Sequence, residues 1–128
     1  MPWQSLTVLV VDDDPSVRLA MGALLQELGC TVLSADSTDR ALQVTQNQNP
    51  DLLLSDVRLR GTDNGIDVVA ALRQRFPGLP ALLVSGETAP EVLSKLERTY
   101  LNLIHKPVSL NSLKNAIGEL ITKEKTTA

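Results

Sequence analysis

Residues able to do chemistry stand at the ends of apolar runs in this chain. Asp12, Asp13 and Asp14 follow the run Leu6 to Val11, and Asp56 comes just after Leu52 to Leu54. Ser85 and Gly86 follow Leu79 to Val84, while Lys106 and Pro107 come after Tyr100 to Ile104. Carboxylates gathered in one place repel each other and raise each other's pKa values. A divalent cation relieves that repulsion, and hard oxygen donors suit Mg²⁺. A lysine and a hydroxyl beside such a set can hold phosphate oxygens, and a carboxylate can itself form an aspartyl phosphate. If these positions meet in space, their chemistry is phosphoryl transfer at a metal-bound carboxylate.

What would bring them together is an open parallel sheet. Four apolar runs and a weaker one, Thr31 to Ala35, alternate with helix-period stretches at Ser16 to Leu28, Thr38 to Asn47, Ile66 to Phe76, Pro90 to Glu97 and Leu110 to Ile121. Runs that are apolar throughout suit strands buried on both faces, and strand-helix alternation suits a parallel α/β sheet. In such sheets the strand ends share one edge, where ligand sites form. Local signals agree with this reading. Asp14-Pro15 reads as an N-cap with proline at the first helical position. Ser37 and Ser109 read as further caps, Thr88 with Glu91 as a capping box, and Gly29 as a helix stop.

The composition narrows the function classes. With 128 residues, 43% hydrophobic and 21% charged, the chain fits one domain with a real core. A formal net charge of −3 argues against nucleic acid as a direct partner, since phosphate backbones need a basic face. No apolar run approaches the roughly 20 residues of a membrane helix, and the start of the chain lacks a signal-peptide pattern. The single Cys30 cannot form an internal disulfide, which fits a cytoplasmic protein; it reads as a small packing residue.

Four segments carry a family resemblance: Val10-Val11-Asp12-Asp13-Asp14-Pro15, Asp51-Leu52-Leu53-Leu54-Ser55-Asp56, Leu83-Val84-Ser85-Gly86 and His105-Lys106-Pro107. In this order and strand context the chain resembles a response-regulator receiver domain of two-component signalling. The likeness runs from about residue 6 to 121, making 1–128 one receiver domain with a short tail. It implies a flavodoxin-like (βα)₅ three-layer sandwich. The strand order 2-1-3-4-5 is borrowed from chemotaxis receivers of that family and not read from the residues.

The resemblance also implies roles. Asp56 would accept a phosphoryl group from the phosphohistidine of a histidine kinase or histidine phosphotransfer domain. Asp13 would bind Mg²⁺ directly, Asp12 through metal-bound water, and Asp56 and the Arg58 main-chain carbonyl would complete the protein ligands. Ser85 would hydrogen-bond the phosphoryl group and Lys106 would pair with it. Arg58 and Glu87, each two residues beyond a site residue, are placed to tune the lifetime of the phosphate. The Lys106-Pro107 step is where receivers often carry a cis bond. Such a domain signals by conformational change; it is not a turnover enzyme. His105 is expected to have a structural or surface role.

Three departures bear on the signal. Arg60 stands where many receivers have proline, in a loop one residue longer. Leu103 occupies a position where an aromatic switch residue is common. Ser85 replaces the more frequent threonine. The segments Leu59 to Gly65, Val84 to Glu87 and Ile104 to Val108 resemble receivers fused to hybrid histidine kinases. No output domain is evident after the last helical stretch, so output is expected through protein contacts or a part of the protein not in this chain. The leading rival is a haloacid-dehalogenase-like phosphatase, whose Asp-x-Asp motif Asp12 and Asp14 mimic, with Asp12 as nucleophile. A phosphorylation-independent interaction module is a further alternative. Flavin binding on a similar fold lacks the phosphate-loop glycines and stacking aromatics.

Overall fold

A computed structural model of the chain describes residues 5–59, 64–86, 102–105 and 108–127. Its elements run β1 (Thr7–Val11), α1 (Pro15–Glu27), β2 (Thr31–Ala35), α2 (Thr38–Val44), β3 (Leu52–Asp56), α3 (Gly65–Arg75), β4 (Ala81–Ser85), β5 (Asn102–His105) and α4 (Leu110–Thr127). All strand pairings are parallel, in the order β2-β1-β3-β4-β5. The fold expected from the sequence is therefore the fold observed. The stretch Pro90 to Glu97 and the Thr88/Glu91 box lie outside the described residues.

Alternate side chains of the strands feed two separate cores, which is why these runs are apolar throughout. Val8, Val10, Leu52, Leu54, Leu82, Val84 and Ile104 pack with Met21 and Leu25 of α1 and with Leu113 and Ile117 of α4. Leu9, Val11, Leu53, Ala81 and Leu83 pack on the other face with Ala41 of α2 and with Val68 and Leu72 of α3. These are the three layers. Each fully buried Leu or Val contributes roughly 1.5–3 kcal/mol. Cys30 is buried in the first core, as its packing role requires, and burial pushes its thiol up from its ordinary value.

Helix ends follow local chemistry. Asp14 caps α1: its Oδ1 accepts from Ser16 N–H at 2.9 Å and from the Ser16 hydroxyl at 2.7 Å. At the other end Gly29, with φ +91°, donates to Gln26 C=O at 2.9 Å, and Cys30 N–H donates to Leu25 C=O at 3.0 Å. That pair of bonds is a Schellman stop, which places glycine in the left-handed conformation. Ser37 caps α2 by accepting from Arg40 N–H at 3.2 Å. Ser109 and Ser112 bond reciprocally, each hydroxyl accepting from the other's main-chain N–H, a capping box with serine in both places. α2 stops at Val44, short of the predicted Asn47, and the buried Thr45 that follows donates its hydroxyl back to Ala41 C=O at 2.8 Å.

Candidate metal centre

Register alone delivers the acids to one place. Val11 of β1 pairs with Ser55 of β3, so Asp12 and Asp56, each the next residue, stand side by side at the carboxyl edge. Asp56 pairs with Val84, so Ser85 stands one step further along the adjoining strand. Ser85 in turn pairs with His105, the last residue of β5. Lys106, the next in sequence, lies outside the described residues, as do Arg60 and Glu87. The structure ends β3 on Asp56 itself, two residues later than the apolar run, so the acid is held by a strand and not by a loop.

Carboxylate oxygens of Asp12, Asp13 and Asp56 all lie within 4.8 Å of one another. Ligands of an octahedral Mg²⁺ at about 2.1 Å sit about 3–4.2 Å apart, so a small inward movement would close three hard oxygens on one such ion. The donor set fits that cation. Asp12 is 4% exposed and stands beside two other carboxylates, a set of hard oxygens of the kind divalent cations such as Mg²⁺ take. Its Oδ1 accepts from Asp14 N–H at 2.9 Å, which fixes the carboxylate above the turn. Asp13 and Asp56 are half-buried, and Arg58 N–H donates to Asp56 Oδ1 at 3.3 Å.

The remaining predicted residues separate into two groups. Ser85 is 2% exposed at the end of β4, on the strand beside Asp56. Asp14 is exposed and its carboxylate serves the α1 cap, so it does not join the cluster. Leu103 pairs with Leu83 within the sheet and packs against the core on the α2–α3 side.

Sequence reasoning missed four supporting residues. Asn64 caps α3, accepting from Asp67 N–H at 2.9 Å, and forms an antiparallel bridge with Arg58. An Asx residue three positions before an acid was the available signal. Gly65 N–H donates to Val57 C=O at 2.8 Å, which pins the start of α3 under the site. Asp51 ties the entry of β3 to β1: its Oδ2 accepts from Thr7 N–H at 2.8 Å and its own N–H donates to Thr7 C=O at 2.7 Å. Arg18 donates from Nη1 to the Asp12 main-chain carbonyl at 2.6 Å, and nothing in the spacing of residues announced that contact.

A doubly wound parallel sheet with acids gathered where β1 and β3 end defines a flavodoxin-like domain with a cluster of three carboxylates at its carboxyl edge. The sequence model of the response regulator receiver domain matches residues 8–118, and the chain belongs to that family of two-component signalling domains. Over 120 residues it is 31% identical to the autoinducer 1 sensor kinase/phosphatase LuxN of Vibrio campbellii, covering 94% of this chain and 14% of that protein. It is 28% identical over 115 residues to the transcriptional regulatory protein GlrR of Escherichia coli, covering 89% of this chain and 26% of that one. The chain thus spans only a minor part of the curated relatives it matches. Among solved structures, the chemotaxis protein CheY4 of Vibrio cholerae is 27% identical with a TM-score of 0.80, covering 91% of this chain and 98% of that one. The signal receiver domain of a modulated diguanylate cyclase from Desulfovibrio desulfuricans G20 is 25% identical with a TM-score of 0.83, covering 98% and 100%.

Proposed function

We propose that Asp56 is the phosphoacceptor of this receiver and that Asp12, Asp13 and Asp56, with the Arg58 main-chain carbonyl, hold Mg²⁺. The observation that carries this reading is the meeting of three carboxylates at the ends of two neighbouring parallel strands, with the Ser85 hydroxyl on the next. An Asp56 oxygen attacks the phosphorus of a phosphohistidine, the nitrogen–phosphorus bond breaks, and its electron pair stays on the imidazole, which takes up a proton. When bound, Mg²⁺ offsets the charge that the acids and the incoming phosphoryl oxygens share. Ser85 donates to a phosphoryl oxygen and Lys106 supplies a positive charge to another. The added charge then shifts the conformational population of the domain. Arg58 and Glu87 set how long the phosphate lasts by steering or blocking water.

The whole of 1–128 is read as one receiver domain that accepts phosphate without turning over a substrate. Its partner is a histidine kinase or a histidine phosphotransfer domain in the cytoplasm. The 31% identity to a sensor kinase/phosphatase supports a place within or beside a hybrid histidine kinase. Among the described residues no helix is long and apolar enough to cross a membrane. The phosphatase alternative needs Asp14 as a free acid two positions after Asp12, but its carboxylate is engaged in capping α1.

Incubation with acetyl phosphate and Mg²⁺ tests the assignment. One phosphoryl group should be added, and Asp56→Asn should abolish it. Labelling that survives Asp56→Asn and is lost in Asp12→Asn would instead make Asp12 the nucleophile.

A further inference from the structure

Past Val11 the main chain leaves the sheet and must turn into α1 within three residues, all of them acids. Two sets of bonds fix that turn from the amino side. Asp12 N–H donates to Ala35 C=O at 3.1 Å, and Asp14 N–H donates to the Asp12 carboxylate at 2.9 Å. A third bond comes from outside the turn: the half-buried Arg18, on the second turn of α1, reaches back to the Asp12 carbonyl at 2.6 Å. A hydrogen bond from a charged donor is roughly twice as strong as a neutral one. The carbonyl it holds belongs to the peptide unit joining Asp12 to Asp13. Fixing that plane fixes the direction from which both side chains leave the backbone.

We infer that Arg18 is a positioning residue for the metal centre, acting through the Asp12–Asp13 peptide and not on the cation or the phosphoryl group. This inference rests on the reading of the acidic cluster as a Mg²⁺ site. Partners one shell out from metal ligands typically change affinity by about 10–100-fold when removed. A through-space effect of the guanidinium charge has the opposite sign, because losing a cation beside three acids would tighten Mg²⁺ binding. The two accounts therefore separate in one titration.

The experiment compares the wild-type chain with Arg18→Met and Arg18→Lys by calorimetric Mg²⁺ titration and by amide exchange in Mg²⁺-free buffer. Positioning predicts that Arg18→Met binds Mg²⁺ roughly tenfold more weakly and exchanges its Asp13 and Asp14 amides faster. Arg18→Lys, which keeps a charged donor, should restore most of both. Should Arg18→Met fail to fold, Arg18→Gln takes its place in the same comparison. Unchanged Mg²⁺ affinity, with or without a loss of thermal stability, overturns the inference, as does tighter binding. No Mg²⁺ binding by the wild-type chain would overturn the metal-site reading itself, and this inference with it.

Discussion

Gly65 stands so close to Asp56 that a Cβ at position 65 would lie 2.5 Å from the Asp56 carbonyl oxygen and 2.8 Å from Leu83 Cδ2. The first residue of α3 thus presses on the last residue of β3, and only a hydrogen fits between them. Gly65→Ala must push helix and strand apart, at about 1–3 kcal/mol of unfolding free energy, and should weaken Mg²⁺ binding by displacing Asp56. Gly78→Ala is the matched control. Its φ of +79° makes it unfavourable too, but nothing lies within 4 Å of its Cβ position and it is remote from the acids, so Mg²⁺ affinity should not change. Equal Mg²⁺ affinities for both variants in a calorimetric titration would show that the close approach does not position the site.

Asp14 discriminates between the receiver and the phosphatase. As a cap, Asp14→Ala should cost about 1 kcal/mol in urea unfolding while Mg²⁺-dependent labelling by acetyl phosphate persists. A folded Asp14→Ala variant that cannot be labelled would give this carboxylate a chemical role instead.

In the proposed assignment the buried Ser85 bonds a phosphoryl oxygen through its hydroxyl. A hydrogen bond to a charged group contributes about 1.5–3 kcal/mol, so Ser85→Ala should bind a beryllium fluoride mimic of the phosphoryl group at least about tenfold more weakly. Ser85→Thr should retain the affinity. Unaltered binding by Ser85→Ala, measured by fluorine resonance titration, would remove Ser85 from the site.

Burial raises the Cys30 thiol above its ordinary value of 9.0, so the folded state favours the neutral form. Its contribution to stability is complete below pH 9.0 and is lost as pH rises through the folded-state value. Unfolding free energy should therefore fall more steeply just above pH 9.0 in the wild-type chain than in Cys30→Ala. Parallel pH profiles would contradict it.

How much could be read from residues alone follows from what makes each element local or not. The strands were legible because both faces of the sheet are covered, which forces unbroken apolar runs such as Leu52 to Leu54. Asp12, Asp13 and Asp56 were legible as a cluster because acids at the ends of buried strands need a reason to be there. Asp14, Ser37 and Gly29 were legible because capping is a property of three or four neighbouring residues. Arg18 and Gly65 were not: one acts through a side chain reaching back from a helix, the other by what it lacks against a strand nine residues earlier. The end of α2 at Val44 escaped because the polar stretch Thr45 to Asn49 has no glycine or proline to mark a stop.

The central assignment is best tested by locating the phosphoryl group itself. The chain is phosphorylated with acetyl phosphate and Mg²⁺, the acyl phosphate is reduced with borohydride, and the modified residue is found by tandem mass spectrometry. Homoserine at position 56 is the predicted result. Homoserine at position 12, or a phosphate that borohydride does not reduce because it is not on a carboxylate, would contradict it.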